Sequence, residues 1–210
     1  MKKTMCITYR VGDGLYVNVT NRCTNRCDFC IRNNGDGAYG SDSLWLEREP
    51  TAEEILDAIF KIDPNTYSEI VFCGYGEPSY RLADIVTVAK EVKRRIPEVK
   101  IRINTNGQSD LIFGRNTAPD YEGAFDSVSI SLNAPTAEGY DRICHSKFGM
   151  SAFDAMLKFA SEVQKYVPDT VLSVVREFIS DKELSLSEEL AKKRGVRLKI
   201  RDYIAPSKSE

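Results

Sequence analysis

A chain of 210 residues with 42% hydrophobic and 29% charged residues has the balance of a globular protein, which excludes the disordered and collagen-like classes. The length suits one core of ordinary size, so residues 1–210 are expected to form a single domain, and a formal net charge of −2 argues against a general nucleic-acid binder. No apolar run approaches the roughly 18 residues that span a membrane, and Met1-Lys2-Lys3-Thr4-Met5-Cys6 lacks the apolar stretch of a secretory leader, so no membrane partner and cytoplasmic residence are expected.

In chain order, residues 7–11 and the turn Gly12-Asp13-Gly14 read as one arm of a hairpin within residues 1–14. Residues 15–20 are the first of six short runs rich in β-branched residues; the others are 69–73, 99–104, 127–132, 171–176 and 196–201. Helical periods fill the gaps between them. Thr51-Ala52-Glu53-Glu54 after Pro50 is a capping box, followed by the apolar stripe Ile55, Leu56, Ile59 and Ile62. Leu82, Ile85, Val86, Ala89, Val92 and Ile96 form a second stripe that stops at Pro97. Phe153, Met156, Leu157, Ala160, Val163 and Val167 form a third, ending at Pro168, and a fourth helix ends at Gly195 as its C-cap. Residues 116–123 are too short for more than one helical turn, and residues 204–210 form a polar tail. The alternation predicts an α/β fold of βα units around a parallel sheet.

A polar or glycine-rich segment follows each run: the loop after residue 20, Gly74-Tyr75-Gly76-Glu77-Pro78, Thr105-Asn106-Gly107, Asn133-Ala134-Pro135, Arg176-Glu177-Phe178 and Asp202-Tyr203. Parallel barrels build their sites from loops at the C-terminal ends of the strands, so all of this chemistry converges on one rim. Apolar Val99, Ile101 and Ile103 alternate with Lys100, Arg102 and Asn104, and Val128, Ile130 and Leu132 with Ser127, Ser129 and Ser131. A filled barrel has an apolar interior; these polar faces predict an interior that holds a ligand.

The loop after the first run holds Cys23, Cys27 and Cys30, a CxxxCxxC spacing with three thiolates and no local fourth ligand. A structural zinc wants four protein ligands, and the chain has a single histidine, His145, with no HExxH motif. An iron–sulfur cluster on three thiolates keeps one iron open. Of the remaining cysteines, Cys73 ends an apolar strand and reads as core, Cys6 stands apart, and Cys144 beside His145 is either an inert thiol or a radical relay. The two glycines of Gly74-Tyr75-Gly76-Glu77-Pro78 allow a sharp turn and close approach to a ligand. Residues 31–49 carry several glycines and then Leu44, Trp45 and Leu46, which reads either as a lid over the cysteines or as a plain connection.

Together these motifs resemble the radical SAM superfamily, in its GxGEP variant and with an aromatic Phe29 before the third cysteine. The resemblance implies a partial (β/α)6 TIM-type barrel. It also implies that Cys23, Cys27 and Cys30 hold a [4Fe-4S] cluster whose open iron binds S-adenosylmethionine. An external electron donor would then drive its cleavage to a 5′-deoxyadenosyl radical. By the same resemblance Gly74, Tyr75, Gly76, Glu77 and Pro78 meet the cofactor's amino group, and Asn104, Asn106, Ser131 and Asn133 its ribose and carboxylate, unless those polar residues only satisfy loop backbone. Tyr16-Val17-Asn18-Val19-Thr20-Asn21-Arg22-Cys23 and Ser131-Leu132-Asn133-Ala134-Pro135 look like the small TatD-linked radical SAM proteins, which implies association with a TatD-type nuclease.

The final run places Arg197, Lys199 and Arg201 on one face. They either protect a sheet edge or bind an anionic substrate, a small molecule or a nucleotide, with Arg201 and Arg176 nearest the rim. Two other functions stay open: an activase that makes a radical on a partner protein, and a non-enzymatic binding or redox module stabilised by iron–sulfur or zinc.

Overall fold

Ile101, Ile103, Val128 and Ile130 are fully buried under helices, while Arg102, Asn104 and Ser131 from the same two strands face the opposite side and stay partly exposed. That alternation is what the period of two in the sequence demands. It recurs in a computed structural model of the protein that describes residues 5–204.

Among the described residues seven strands form one sheet in sequential order: β1 (Thr8–Val11), β2 (Gly14–Val17), β3 (Glu69–Phe72), β4 (Lys100–Thr105), β5 (Ser127–Ser131), β6 (Asp169–Val175) and β7 (Arg197–Arg201). β1 pairs antiparallel with β2, Tyr9 opposite Tyr16, and every later pair is parallel. This is the expected α/β partial barrel with six parallel strands, and the expected hairpin arm supplies a seventh strand at its edge. Residues 1–4 of the arm and 205–210 of the polar tail lie outside the described residues.

The helices are α1 (Ala52–Phe60), α2 (Leu82–Arg95), α3 (Ser109–Phe113), α4 (Ala137–Cys144), α5 (Ser151–Val163) and α6 (Asp181–Lys193). α1 starts at the capping box read from the sequence, with both reciprocal bonds between Thr51 and Glu54 present. α6 has the same device in Ser180 and Glu183. α2 ends with Ile96 as its cap, one residue before Pro97, and Gly195 past α6 takes a left-handed φ of 72°. α5 ends four residues before Val167, though Val167 N still donates to Val163 O at 2.8 Å in a loosened last turn. Residues 118–121 make a single 3-10 turn.

Two helices were absent from the sequence reading. α3 is a five-residue stub, and α4 carries only a short apolar pattern around Gly139, so neither shows a periodic stripe long enough to read. α4 is defined by capping instead, through the Thr136 hydroxyl that accepts from Gly139 N at 3.1 Å.

Among the described residues no helix is long and apolar enough to cross a membrane. The core lies between the outer face of the sheet and the helices, with Phe72, Tyr121, Tyr140 and Phe159 its largest buried side chains. Ile103 is central to it, and Ile103→Ala should destabilise the protein by about 2–5 kcal/mol. Urea unfolding of the purified chain reads this directly; a loss under 1 kcal/mol, at the scale of an exposed-site change, would contradict the packing described.

Candidate active site

The strands end around a cavity of about 500 Å³. Cys23, Cys27 and Cys30 line it from the loop after β2, and Gly74 to Pro78 line it from the loop after β3.

The cysteine loop has no regular structure of its own, so its shape comes from its neighbours. The end of α4 supplies most of the support. Arg26 N donates to Cys144 O at 2.9 Å, Asp28 N to Ile143 O at 3.1 Å and Lys147 N to Thr24 O at 2.8 Å. His145, which caps α4 in a left-handed conformation, pairs through Nε2 with Asp28 Oδ1 at 2.8 Å. It is a fastener rather than a metal ligand. Beneath the loop, the Asn25 amide donates to the Tyr140 hydroxyl at 3.0 Å and accepts from Gln108 Nε2 at 2.9 Å, all three side chains being buried.

The sulfurs sit in contrasting surroundings. Asn25 N points at Cys23 Sγ and Arg32 Nε at Cys30 Sγ, each at 3.4 Å. Burial pushes the Cys23 thiol up to about 12, and a hydrogen bond with the Cys144 thiol, then burial, drives Cys27 far above its ordinary value. The free Cys23 and Cys27 thiols are therefore held protonated, and metal binding must displace their protons. Tetrahedral zinc with bonds near 2.3 Å needs sulfurs about 3.8 Å apart. Among the described residues no three Cys, His, Asp or Glu side chains converge in the way a single ion requires. Three thiols at one cavity wall, with no imidazole or carboxylate among them and no fourth protein ligand beside them, are the donor set that suits an iron–sulfur cluster with one open iron.

Gly74-Tyr75-Gly76-Glu77-Pro78 departs from its sequence reading in an instructive way. A Cβ on Gly76 would stand 2.2 Å from Thr20 O and 2.7 Å from Arg22 O; one on Gly74 would stand 2.1 Å from Asn18 Oδ1. The missing side chains admit the backbone and supporting amide of the preceding loop. Glu77 N donates to Arg22 O at 2.8 Å across this contact. The Tyr75 side chain packs in a small cluster with Tyr9, Ala38 and Leu44, and its hydroxyl donates to Gly35 O at 2.7 Å and to Gly37 O at 3.0 Å. Glu77 is buried, and its carboxylate accepts from Ser79 N, Thr105 Oγ1 and Asn106 N at 3.0, 2.7 and 2.7 Å. Burial raises its pKa against those bonds. Pro78 begins a 3-10 turn.

Asn104, Asn106, Ser131 and Asn133 all line the cavity. Their side chains are not equally free. Asn106 is committed, with Nδ2 donating to Thr24 Oγ1 at 2.6 Å and Oδ1 accepting from Gln108 N at 3.0 Å. Asn104 Oδ1 accepts from Arg102 Nη1 at 2.6 Å. Asn133 takes a φ of 60°, its Nδ2 donates to Cys144 Sγ at 3.4 Å, and its Oδ1 is buried with no partner. A buried acceptor at a cavity wall calls for a donor from a ligand.

Three expectations need correction. Cys144 is fully buried behind Cys27 and is absent from the cavity wall, so the geometry gives it no path to a substrate. Cys73 is not core; its thiol lines the cavity, beside Asn104, Arg102 and Arg201. Arg176 lies away from the cavity, its guanidinium exposed, donating to Ile179 O at 2.8 Å and pairing with Asp181 at the start of α6. Arg201 and Lys199 do line the cavity, whereas Arg197 pairs outside it with Asp169 at 2.5 Å. Of the possible lid at residues 31–49, Ile31, Ala38, Tyr39 and Leu44 line the cavity as part of its wall. Leu44 and Leu46 are buried, and Asn18 and Asn21 donate to their carbonyls at 2.7 and 2.8 Å.

The supporting residues Asn25, Gln108, Tyr140 and Asp28 escaped the sequence reading because their partners lie up to 117 positions away. From the Gly76 contact, Gly76→Ala should force the two loops apart, lowering both thermal stability and iron uptake during anaerobic reconstitution. Unchanged unfolding and full iron content would show that the loops do not depend on this approach.

Comparison with known proteins agrees with the geometry. The sequence model of the Radical SAM superfamily matches residues 17–186. The chain is 25% identical over 196 residues to the tRNA-2-methylthio-N(6)-dimethylallyladenosine synthase of Chlorobium phaeovibrioides, covering 89% of this chain and 41% of that protein. It is 28% identical over 191 residues to Molybdenum cofactor biosynthesis protein 1 of Drosophila melanogaster, covering 90% and 31%. The chain thus spans less than half the length of these curated relatives. A radical SAM methyltransferase from Sphaerobacter thermophilus has the same fold, with a TM-score of 0.65 at 16% identity over 92% of this chain and 57% of that one. With most of its length matched and the cysteine loop and GxGEP turn facing one cavity, the chain belongs to the radical SAM superfamily.

Proposed function

We propose that this chain binds one [4Fe-4S] cluster through Cys23, Cys27 and Cys30 and S-adenosylmethionine in the adjoining cavity, and abstracts hydrogen from an anionic small molecule or nucleotide. The observation that carries the reading is the meeting, in one cavity, of three thiols, the Gly74 to Pro78 turn and the unpartnered Asn133 Oδ1. When bound and reduced by an external donor, cluster and cofactor supply the cleavage of the sulfonium to methionine and a 5′-deoxyadenosyl radical.

The chain's own part is to bind, orient and exclude water. Three thiolates without a fourth protein ligand leave one iron for the cofactor. Backbone groups of Gly74 to Pro78 suit the amino group, because the Tyr75 and Glu77 side chains are engaged elsewhere. Asn133 Oδ1, Ser131 and Asn104 are the candidates for ribose hydroxyls and carboxylate. Ala38, Tyr39 and Leu44 close one side of the cavity and limit water access. This enclosure favours a small substrate over a segment of a partner protein. A reducing compartment such as the cytoplasm suits thiols that must load a cluster. Association with a TatD-type nuclease is supported by the sequence resemblance at residues 16–23 and 131–135 alone.

Anaerobic reconstitution should give about four irons per chain, and Cys23→Ala, Cys27→Ala or Cys30→Ala should each abolish the cluster while Cys6→Ala retains it. Zinc bound in place of iron and sulfide would refute the reading. Reductant-dependent formation of 5′-deoxyadenosine tests the cleavage itself, and its absence from cluster-loaded protein would leave a binding or redox module. Asn133→Gly keeps the left-handed backbone and deletes the amide, so S-adenosylmethionine affinity should fall about three- to tenfold, the worth of one hydrogen bond. Equal affinity in the variant would remove Asn133 from the cofactor site.

A further inference from the structure

Positive charge in the cavity is unevenly balanced. Arg102 enters from β4 already neutralised: its Nε donates to Glu69 Oε2 at 3.0 Å, and a second nitrogen reaches Glu69 Oε1 at 2.5 Å. It also donates to Asn104 Oδ1 at 2.6 Å and to the Tyr16 hydroxyl at 3.4 Å. Arg201 enters from β7 with no such complement. Its Nε is buried and has no hydrogen-bond partner, and among the described residues it makes no ion pair. Burial disfavours its charged form, and the groups that act on it most are the Cys73, Tyr39, Cys27 and Tyr16 side chains, none of them a carboxylate. Asp202, the next residue, lines the same cavity but is exposed and does not pair with it.

An arginine that protects a sheet edge points to solvent, as Arg197 does with its 76% exposed side chain. Arg201 is turned inward instead. Arg201 is half-buried, with only its Nε fully enclosed, and a guanidinium that gives up part of its hydration at a cavity wall gains when an anion meets it there. Lys199, two residues earlier on the same face, lines the same cavity.

We infer, resting on the reading of the site above, that Arg201 and Lys199 anchor a phosphate group of the substrate, with the Tyr16 and Tyr39 hydroxyls as further donors. A carboxylate would be satisfied by one guanidinium edge. Phosphate brings more acceptor oxygens and a larger charge, and it suits a site that combines a guanidinium, an ammonium and two phenols. The Tyr16 hydroxyl accepts from Arg102, which leaves its own proton to donate. The substrate class is a phosphorylated small molecule, nucleotides included.

Calorimetric titration of the cluster-loaded, S-adenosylmethionine-bound protein with inorganic pyrophosphate and with acetate, at low ionic strength, tests this. Pyrophosphate should bind at least tenfold more tightly than acetate. Arg201→Gln should weaken pyrophosphate tenfold or more, Arg201→Lys should recover part of the loss, and Lys199→Gln should weaken it to a smaller extent, with iron content confirming that each variant is loaded. No pyrophosphate binding to the wild type, or equal binding of acetate, would overturn the inference. So would a parallel fall in S-adenosylmethionine affinity in Arg201→Gln, which would move the guanidinium to the cofactor's carboxylate. Protein that takes up no cluster but binds pyrophosphate in an Arg201-dependent way would keep the anion site and overturn the proposed radical chemistry.

Discussion

The site depends on a backbone contact: the loop that carries Cys23, Cys27 and Cys30 is wedged between the Gly74 to Pro78 turn and the end of α4. On one side the absence of a Cβ at Gly76 lets the turn lie against Thr20 O and Arg22 O. On the other, three main-chain bonds tie residues 24–28 to residues 143–147. A loop without helix or strand hydrogen bonds would otherwise sample many shapes, and three thiolates would seldom converge. Ordering ten residues costs on the order of 10–20 kcal/mol of backbone entropy. Contacts that repay this must be close and numerous, which is why glycine stands where the two loops touch.

Glu77 extends the same argument to the neighbouring strand. A buried carboxylate is tolerable only when its lone pairs are met, and here Ser79 N, Thr105 Oγ1 and Asn106 N meet them. Those donors belong to the turn after β3 and to the end of β4. Glu77 therefore joins two rim loops from behind, and Asn106 passes the connection on to Thr24 in the cysteine loop. The acidic residue of the GxGEP motif thus acts as a brace for the cavity wall, and what this turn leaves over for a ligand is its main-chain atoms.

Much of the fold was legible because it follows from local rules. Strand alternation, the Thr51 capping box and the stops at Pro97 and Gly195 each need only nearby residues to act. The cysteine spacing and the GxGEP turn carry their chemistry in the same local way. What escaped was set by distant partners. α4 has eight residues and little stripe, yet its end holds the cysteine loop; nothing local to Ala137–Cys144 announces that role. Cys73 faces the cavity instead of the core, and Cys144 is buried as an inert thiol, because side-chain direction at the end of a strand or helix depends on the bend of the chain after it. Arg176 faced an acidic competitor, Asp181, five positions on, and the local pair won over the cavity.

Three arginines on the sheet show how one residue type takes three roles by position alone. Arg197 meets Asp169 at the exposed base of the β6–β7 pair, a surface ion pair of about 0–1 kcal/mol. Arg102, in the middle of the sheet, is held between Glu69 and Asn104 and stiffens the cavity floor. Arg201 has the cavity but not the carboxylate. Among the described residues β7 is an edge strand, and a lysine or arginine on such a strand would ordinarily turn outward into water. Arg201 instead gives up part of its hydration for a place among phenols and thiols, and an anion in the space its guanidinium faces would restore what burial takes away.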